Sequence, residues 1–115
     1  LKGLLGKESH YAFDFLFIDN ASTDSTAAKL RALAAGDPAV RVILNARNFG
    51  WVRSPMHALQ QADGDAAILM AADFQDPPEL LPEFLRLWEA GNDVVLGEKI
   101  QSEENPLMYR VRSFY

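Results

Sequence analysis

The chain has 115 residues, 49% of them apolar, enough for one modest core and too few for two ordinary domains. A formal charge of −5, with lysines and arginines scattered between carboxylates, excludes the basic patch or stripe of a nucleic-acid footprint. Absent cysteine excludes disulfides and thiolate metal sites, and with no apolar stretch near the roughly 20 residues of a membrane-spanning helix, nor a signal-peptide core in LKGLLGKESHY, cytoplasm is the expected compartment.

From Phe13 to Ile18 every residue but Asp14 is apolar, the pattern of a strand covered on both faces and therefore central in its sheet. The run stops at DNASTDST, where Asp19, Asn20, Ser22, Thr23 and Asp24 offer turn and capping side chains, Asp24 chiefly as the cap of the next helix. Ala27, Leu30, Leu33 and Ala34 then recur at helical spacing up to Gly36. The unit repeats, with VRVILNA as strand, RNFGW as loop and residues 55–62 as a short helix closed by DGD. In a third unit AAILMAA is the strand, DFQDPP the loop and ELLPEFLRLWEAG the helix. Leu81, Leu85 and Trp88 mark the core side of that helix, and Pro82 is tolerable only in its first turn. NDVVLGEK begins a fourth strand, IQSEENP reads as an exposed linker, and LMYRVRSFY starts a further element.

Apolar strands alternating with helices of this length imply right-handed βαβ crossovers, hence an α/β fold with a Rossmann-like, mostly parallel sheet and flanking helices. Residues 1–115 then form a single partial domain, with a core over 13–99 and, over 100–115, a linker and the start of an interface or acceptor-side element. In open α/β sheets ligands bind beyond the carboxyl ends of the strands. The polar clusters fall there: Asp19 to Asp24 after the first strand, Arg47 and Asn48 after the second, Asp73 to Asp76 after the third, Glu98 and Lys99 after the fourth. Neither G-x-G-x-x-G after a strand nor G-x-x-x-x-G-K-[ST] occurs, so a phosphate must be neutralised by other means. The hard oxygens of Asp73 and Gln75 suit Mg²⁺ or Mn²⁺, cations that bridge diphosphate oxygens without a full protein cage.

FLFIDNASTDST, NARNFG and MAADFQDPPELLPEFLRLWEAGNDVVLGEK, in that order and spacing, resemble family 2 glycosyltransferases of the GT-A fold. Within that family they are most similar to the polyprenyl-phosphate branch, which includes dolichol-phosphate mannose synthases and bacterial enzymes that load glucose onto undecaprenyl phosphate. The resemblance implies metal-assisted transfer of a sugar from a nucleotide-diphosphate donor, of UDP-glucose or GDP-mannose type, to a polyprenyl-phosphate or other acceptor at the inner face of a membrane. It carries nucleoside binding onto Asp19, with Asn20 standing where a second aspartate is common, and the metal onto Asp73 and Gln75. Arg47 is a candidate to meet the diphosphate, although a solvated surface role fits an exposed arginine better. Lys99, near a position where the family often has a basic residue, and Arg110 and Arg112 beyond it are candidates to attract the acceptor phosphate. Tyr109, Phe114 and Tyr115 interleave with those arginines, a composition suited to a membrane interface. No catalytic base is assigned, and none is required if the acceptor is a phosphate, since a phosphoryl group with a second pKa of about 6 is largely ionised at neutral pH.

The chain departs from the family pattern twice. The first aspartate of the D-x-D metal motif is Ala71 here, so the cation loses one anionic ligand and leans on diphosphate and water. Nothing in residues 1–12 resembles the family's opening strand V-V-I-P-x-Y-N-E, so the sequence reads as an excerpt beginning after the first strand and ending before the acceptor-side part. A sheet lacking a middle strand exposes backbone donors and acceptors, and a swapped segment, a homo-oligomer or a rearranged strand order is the expected remedy. Both departures favour a rival reading, a non-catalytic nucleotide-sugar-binding or assembly module. A phosphohydrolase built on a strand-end aspartate is a third, disfavoured candidate, because Asp73 and Asp76 are not in D-x-D spacing. Asp76 reads equally as a cap or a ligand contact, Asn48 and Gly50 shape their loop, Trp51 lines or covers the cleft, and His10 and His57 share no metal-ligand spacing.

Overall fold

A computed structural model describes residues 10–73 and 75–98. In chain order these residues form strand β1 (Phe15–Asp19), helix α1 (Thr26–Gly36), strand β2 (Val40–Leu44), helix α2 (Gly50–Gln60), a 3₁₀ turn (Pro78–Leu80) and helix α3 (Leu81–Glu89). Phe15, Phe17 and Ile18 in β1 and Val40, Val42 and Ile43 in β2 are the aromatic and β-branched types that fit a pleated, half-buried surface. The strands run parallel, pairing Phe15 with Val40 through to Asp19 with Leu44, and α1 makes the crossover between them. The ladder continues past both strand ends: the Phe15 N–H donates to the Ala39 carbonyl at 2.8 Å and the Asn45 N–H to the Asp19 carbonyl at 2.9 Å. Both strands therefore finish level, which brings the residues after Asp19 beside those after Leu44.

The α/β architecture with a parallel sheet and flanking helices is present, but among the described residues the sheet has two strands. The expected third strand, AAILMAA, forms no ladder, and Ile68 and Leu69 are exposed. Four of its seven residues are alanine, a poor strand former, and a strand exists only where a neighbour takes up its backbone groups. The expected fourth strand is likewise irregular as far as Glu98, with Val94 and Leu96 exposed. β1 is thus not flanked on both sides among the described residues, contrary to its expected central position, and Phe15 to Ile18 are half-buried.

Helix α2 starts at Gly50 and not at Pro55 as the sequence suggests, so Pro55 lies inside it. Proline lacks the N–H that would donate to the carbonyl of Trp51, and its fixed φ still suits a helix. Gly50 itself has φ +85°, a left-handed conformation that glycine adopts without steric cost. Ser54 and Ala58, one turn apart, are the buried residues of this helix, while Trp51, Val52 and Met56 face outward.

The described residues fall into two compact units, 10–79 and 80–98. The second is organised by α3, entered through the 3₁₀ turn with Pro82 in its first turn as expected. Leu81 and Leu85 are buried and Trp88 is half-buried, the apolar side foreseen from the spacing. The exposed Arg86–Glu83 pair, at 2.6 Å, contributes little in solvent. The Asn92 amide donates to the Leu87 carbonyl at 2.7 Å and satisfies one of the carbonyls left open at the helix end.

Candidate functional site

The level ends of β1 and β2 place two polar loops side by side, and asparagine side chains sew them together. The Asn20 carbonyl Oδ1 accepts from the Phe49 N–H at 2.9 Å and from Asn45 Nδ2 at 3.2 Å. Its Nδ2 donates to Asn48 Oδ1 at 2.9 Å and to the Gly50 carbonyl at 3.2 Å. Asn48 Oδ1 also accepts from the Gly50 N–H at 2.8 Å, the loop-shaping role expected of that pair. Asn45 passes the connection on to α2 by donating to Ser54 Oγ at 3.0 Å. One primary amide thus fills its full capacity of two donors and two acceptors and fixes where α2 begins.

Asp19 is 5% exposed, and its carboxylate accepts from the Ser22 N–H at 3.0 Å and from the Ser22 hydroxyl. Those bonds close a turn in which Ala21 takes φ +64°, a left-handed conformation uncommon for a residue with a side chain. Each Asp19 oxygen keeps acceptor capacity after one bond, so the turn and a ligand can share the group. Asp24 Oδ1 accepts from the Thr26 N–H at 2.9 Å in a turn at the entry of α1, but the N-cap is Ser25, one residue later than the cap expected from the sequence, because an aspartate bonding two residues ahead closes its own turn before the helix starts. The Thr26 side-chain hydrogen bond, then its backbone N–H, hold the Asp24 carboxyl below its ordinary pKa. A depressed carboxylate stabilises the fold fully above the unfolded pKa and loses that contribution as pH falls through the lower folded value. Accordingly, thermal melts on the acid side should fall less steeply with pH in Asp24→Asn than in the unmodified chain.

Arg47 lies with its guanidinium carbon 5.0 Å from the centre of the Phe49 ring, a cation–π contact beside the Asn20 cluster. Asp73, Gln75 and Asp76 occupy a separate, exposed loop that folds on itself. Asp73 Oδ1 accepts from the Gln75 N–H at 3.1 Å, and Asp76 Oδ2 accepts from the Ala71 N–H at 2.9 Å. No hydrogen bond or ion pair among the described residues joins this loop to Asp19, Asn20 or Arg47. Lys99, Arg110 and Arg112 lie outside the described residues.

Among the described residues no three His, Cys, Asp or Glu side chains gather as a metal cage. The donors on the 71–76 loop still suit a hard divalent cation: each aspartate spends one oxygen on a loop N–H, which orients the carboxylate, and leaves the other free. That supply fits a cation completed by ligand phosphate and water better than one held by protein alone.

Asn45 and Ser54 were not singled out by the sequence, yet they connect β2 to α2. The legible signal was an amide at a strand end and a small hydroxyl four residues from Ala58 on the buried side of a helix. A cavity of about 320 Å³ opens there, lined by Asn45, Phe49, Arg53, Ser54 and His57.

The family model described as glycosyl transferase family 2 matches residues 1–115. The chain is 38% identical over 89 residues to a bactoprenol glucosyl transferase of Shigella phage SfV, covering 77% of this chain and 29% of that protein. It has the same identity and coverage with a prophage bactoprenol glucosyl transferase homolog of Escherichia coli (strain K12). Over 91 residues it is 38% identical to an undecaprenyl-phosphate 4-deoxy-4-formamido-L-arabinose transferase of Pseudomonas savastanoi pv. phaseolicola, covering 77% and 27%. The chain thus spans less than a third of the length of these curated relatives.

Proposed function

The chain belongs to glycosyl transferase family 2, and on that premise we propose that the native protein moves a sugar from a nucleotide-diphosphate donor to a polyprenyl phosphate. The observation that carries this reading is the reach of the family match: it includes both the asparagine-clamped loops after β1 and β2 and the acidic loop at 71–76. Relatives named for bactoprenol and undecaprenyl phosphate supply the acceptor class. The reaction is placed at the cytoplasmic side of a membrane, where Lys99, Arg110 and Arg112 would draw the lipid phosphate. No described helix is long and apolar enough to cross a membrane.

In this reading Asp19 and Arg47 contact the nucleotide, Asn20, whose amide is already filled by protein partners, shapes the loop around it, and Asp73 and Gln75 would hold Mg²⁺ or Mn²⁺. The cation, when bound, would supply Lewis-acid neutralisation of the leaving diphosphate. The anomeric carbon–oxygen bond to the diphosphate breaks with its electron pair leaving on that oxygen. An oxygen of the acceptor phosphate forms the new bond from the opposite side, which demands positioning more than proton transfer. Asn20 contributes by holding Phe49 and Gly50, and hence Arg47, at a fixed distance from the β1 end.

A second reading, a binding module without turnover, is favoured by Ala71, whose N–H is taken by Asp76 and whose side chain offers no ligand. Two measurements on the native protein separate them. Mn²⁺ alone should raise the melting temperature little, while Mn²⁺ with a nucleoside diphosphate should raise it by several degrees, since a ligand of the folded state stabilises it. Release of nucleoside diphosphate from a sugar donor in the presence of polyprenyl phosphate then supports transfer, and binding without release supports the module. Strong Mn²⁺ binding with no nucleotide present would contradict the shared cation site.

A further inference from the structure

Between residues 38 and 62 the sequence contains no aspartate or glutamate, although the whole chain carries a formal charge of −5. The same stretch carries Arg41, Arg47, Arg53 and His57. One of these stacks on the Phe49 ring and two share a cavity with it. Arg47 lies against Phe49, the residue before α2, and Arg53 and His57 stand one turn apart on one side of α2. Phe49, Arg53 and His57 line the cavity of about 320 Å³ together with Asn45 and Ser54.

The ionisable side chains lining this cavity, Arg53 and His57, are both basic. Neither Arg53 nor His57 has a hydrogen bond or ion pair with another described residue. Ser54, 3% exposed, accepts from Asn45 through Oγ, which leaves its own hydroxyl hydrogen to donate. An arginine fork, an imidazole N–H present in either protonation state and a hydroxyl hydrogen therefore share one concavity whose lining includes no carboxylate. An anion gains charge-assisted hydrogen bonds from the guanidinium that a neutral ligand does not, and a cation would be repelled.

We propose that this cavity binds a phosphoryl group, with Arg53 and His57 as its principal donors, Ser54 as a third and Phe49 as an apolar wall for whatever the phosphate is attached to. The proposal needs only the charges and the cavity, and stands or falls apart from glycosyl transfer. The phosphoryl group can belong to a nucleotide, to a lipid headgroup or to free phosphate.

Titration of the chain with inorganic phosphate, followed by NMR, should shift the signals of Phe49, Arg53, Ser54 and His57. Arg53→Gln and His57→Gln should each weaken phosphate binding about tenfold, the scale of one lost charge-assisted hydrogen bond. Both side chains are exposed, and melting curves of the variants would verify that the fold is kept. Displacement of phosphate by a nucleoside diphosphate identifies the donor as the source. Displacement by phosphatidylcholine vesicles doped with polyprenyl monophosphate identifies the lipid headgroup, and displacement by neither identifies free phosphate. Unchanged affinity in both folded variants, or shifts confined to residues 71–76, overturns the site. Intact phosphate binding in a protein that transfers no sugar would remove the glycosyltransferase reading and leave this one standing.

Discussion

Asp73→Ala in the native protein is expected to cut the release of nucleoside diphosphate from a sugar donor by about 100-fold or more, with the melting temperature nearly unchanged. The two halves of that expectation have separate physical origins. Asp73 is exposed, and its hydrogen bond is to the Gln75 N–H within its own turn, so removing the side chain leaves no cavity and uncovers no buried donor. Its free carboxylate oxygen, by contrast, is the anionic ligand proposed for the cation that would offset the charge on the leaving diphosphate. Losing one such stabilising group from an active site costs on the order of 10²–10³ in turnover. Asp73→Asn sharpens the test, because the amide oxygen can still accept from Gln75 while the negative charge is gone. Equal losses in the two variants would assign the effect to charge. Activity within about threefold of the unmodified enzyme in both would sink the proposed cation site. Ala71→Asp is the converse change, and a gain in Mn²⁺ affinity there would show that the loop lacks a ligand at that position.

What the sequence reveals here divides along the range of the forces involved. The βαβ unit is legible because strand and helix periodicities are local: Phe15, Phe17 and Ile18, then Leu30 and Ala34, then Val40, Val42 and Ile43 declare their elements within a few residues. Pro82 in a first turn and the Leu81–Leu85 spacing are local in the same sense, as is the turn that Asp24 closes on Thr26, although the cap itself is Ser25. The start of α2 is not. Pro55 is a reasonable first-turn residue, but the helix starts five residues earlier, where Asn20, 29 residues away in sequence, accepts from the Phe49 N–H. AAILMAA fails for a related reason, since apolarity alone does not make a strand without a neighbouring ladder. At the candidate site, residues 19, 20 and 47 lie on the two loops that the level strand ends bring side by side, whereas the partners that tie Asn20 to Asn45 and Asn45 to Ser54 depend on register between elements. The four-residue spacing that sets Arg53 and His57 on one side of α2 is legible in the sequence, because it is local to one helix.

Asn20→Ala should lower stability by about 2 kcal/mol and the melting temperature by roughly 10 °C. Four hydrogen bonds end on this amide, each worth roughly 0.5–1.5 kcal/mol net, and water can replace part of them because Asn20 is only half-buried. The loss should be localised before it is global. Phe49 and Gly50 set the first turn of α2, so amide hydrogen exchange at residues 49–53 should accelerate more than exchange in β1 or β2. Asn20→Asp separates the two halves of the clamp. It retains an oxygen for the Phe49 N–H and Asn45 Nδ2, but it loses the donors to Asn48 Oδ1 and the Gly50 carbonyl and sets a negative charge against both oxygens. A carboxylate there is also the more common arrangement in the family that the sequence resembles, so Asn20→Asp should cost less stability than Asn20→Ala and retain the entry of α2. A melting temperature within about 2 °C of the unmodified chain in Asn20→Ala, with unaltered exchange at residues 49–53, would mean that α2 is positioned by packing of Ser54 and Ala58 alone, and the loops after β1 and β2 would lose their claim to act as one site.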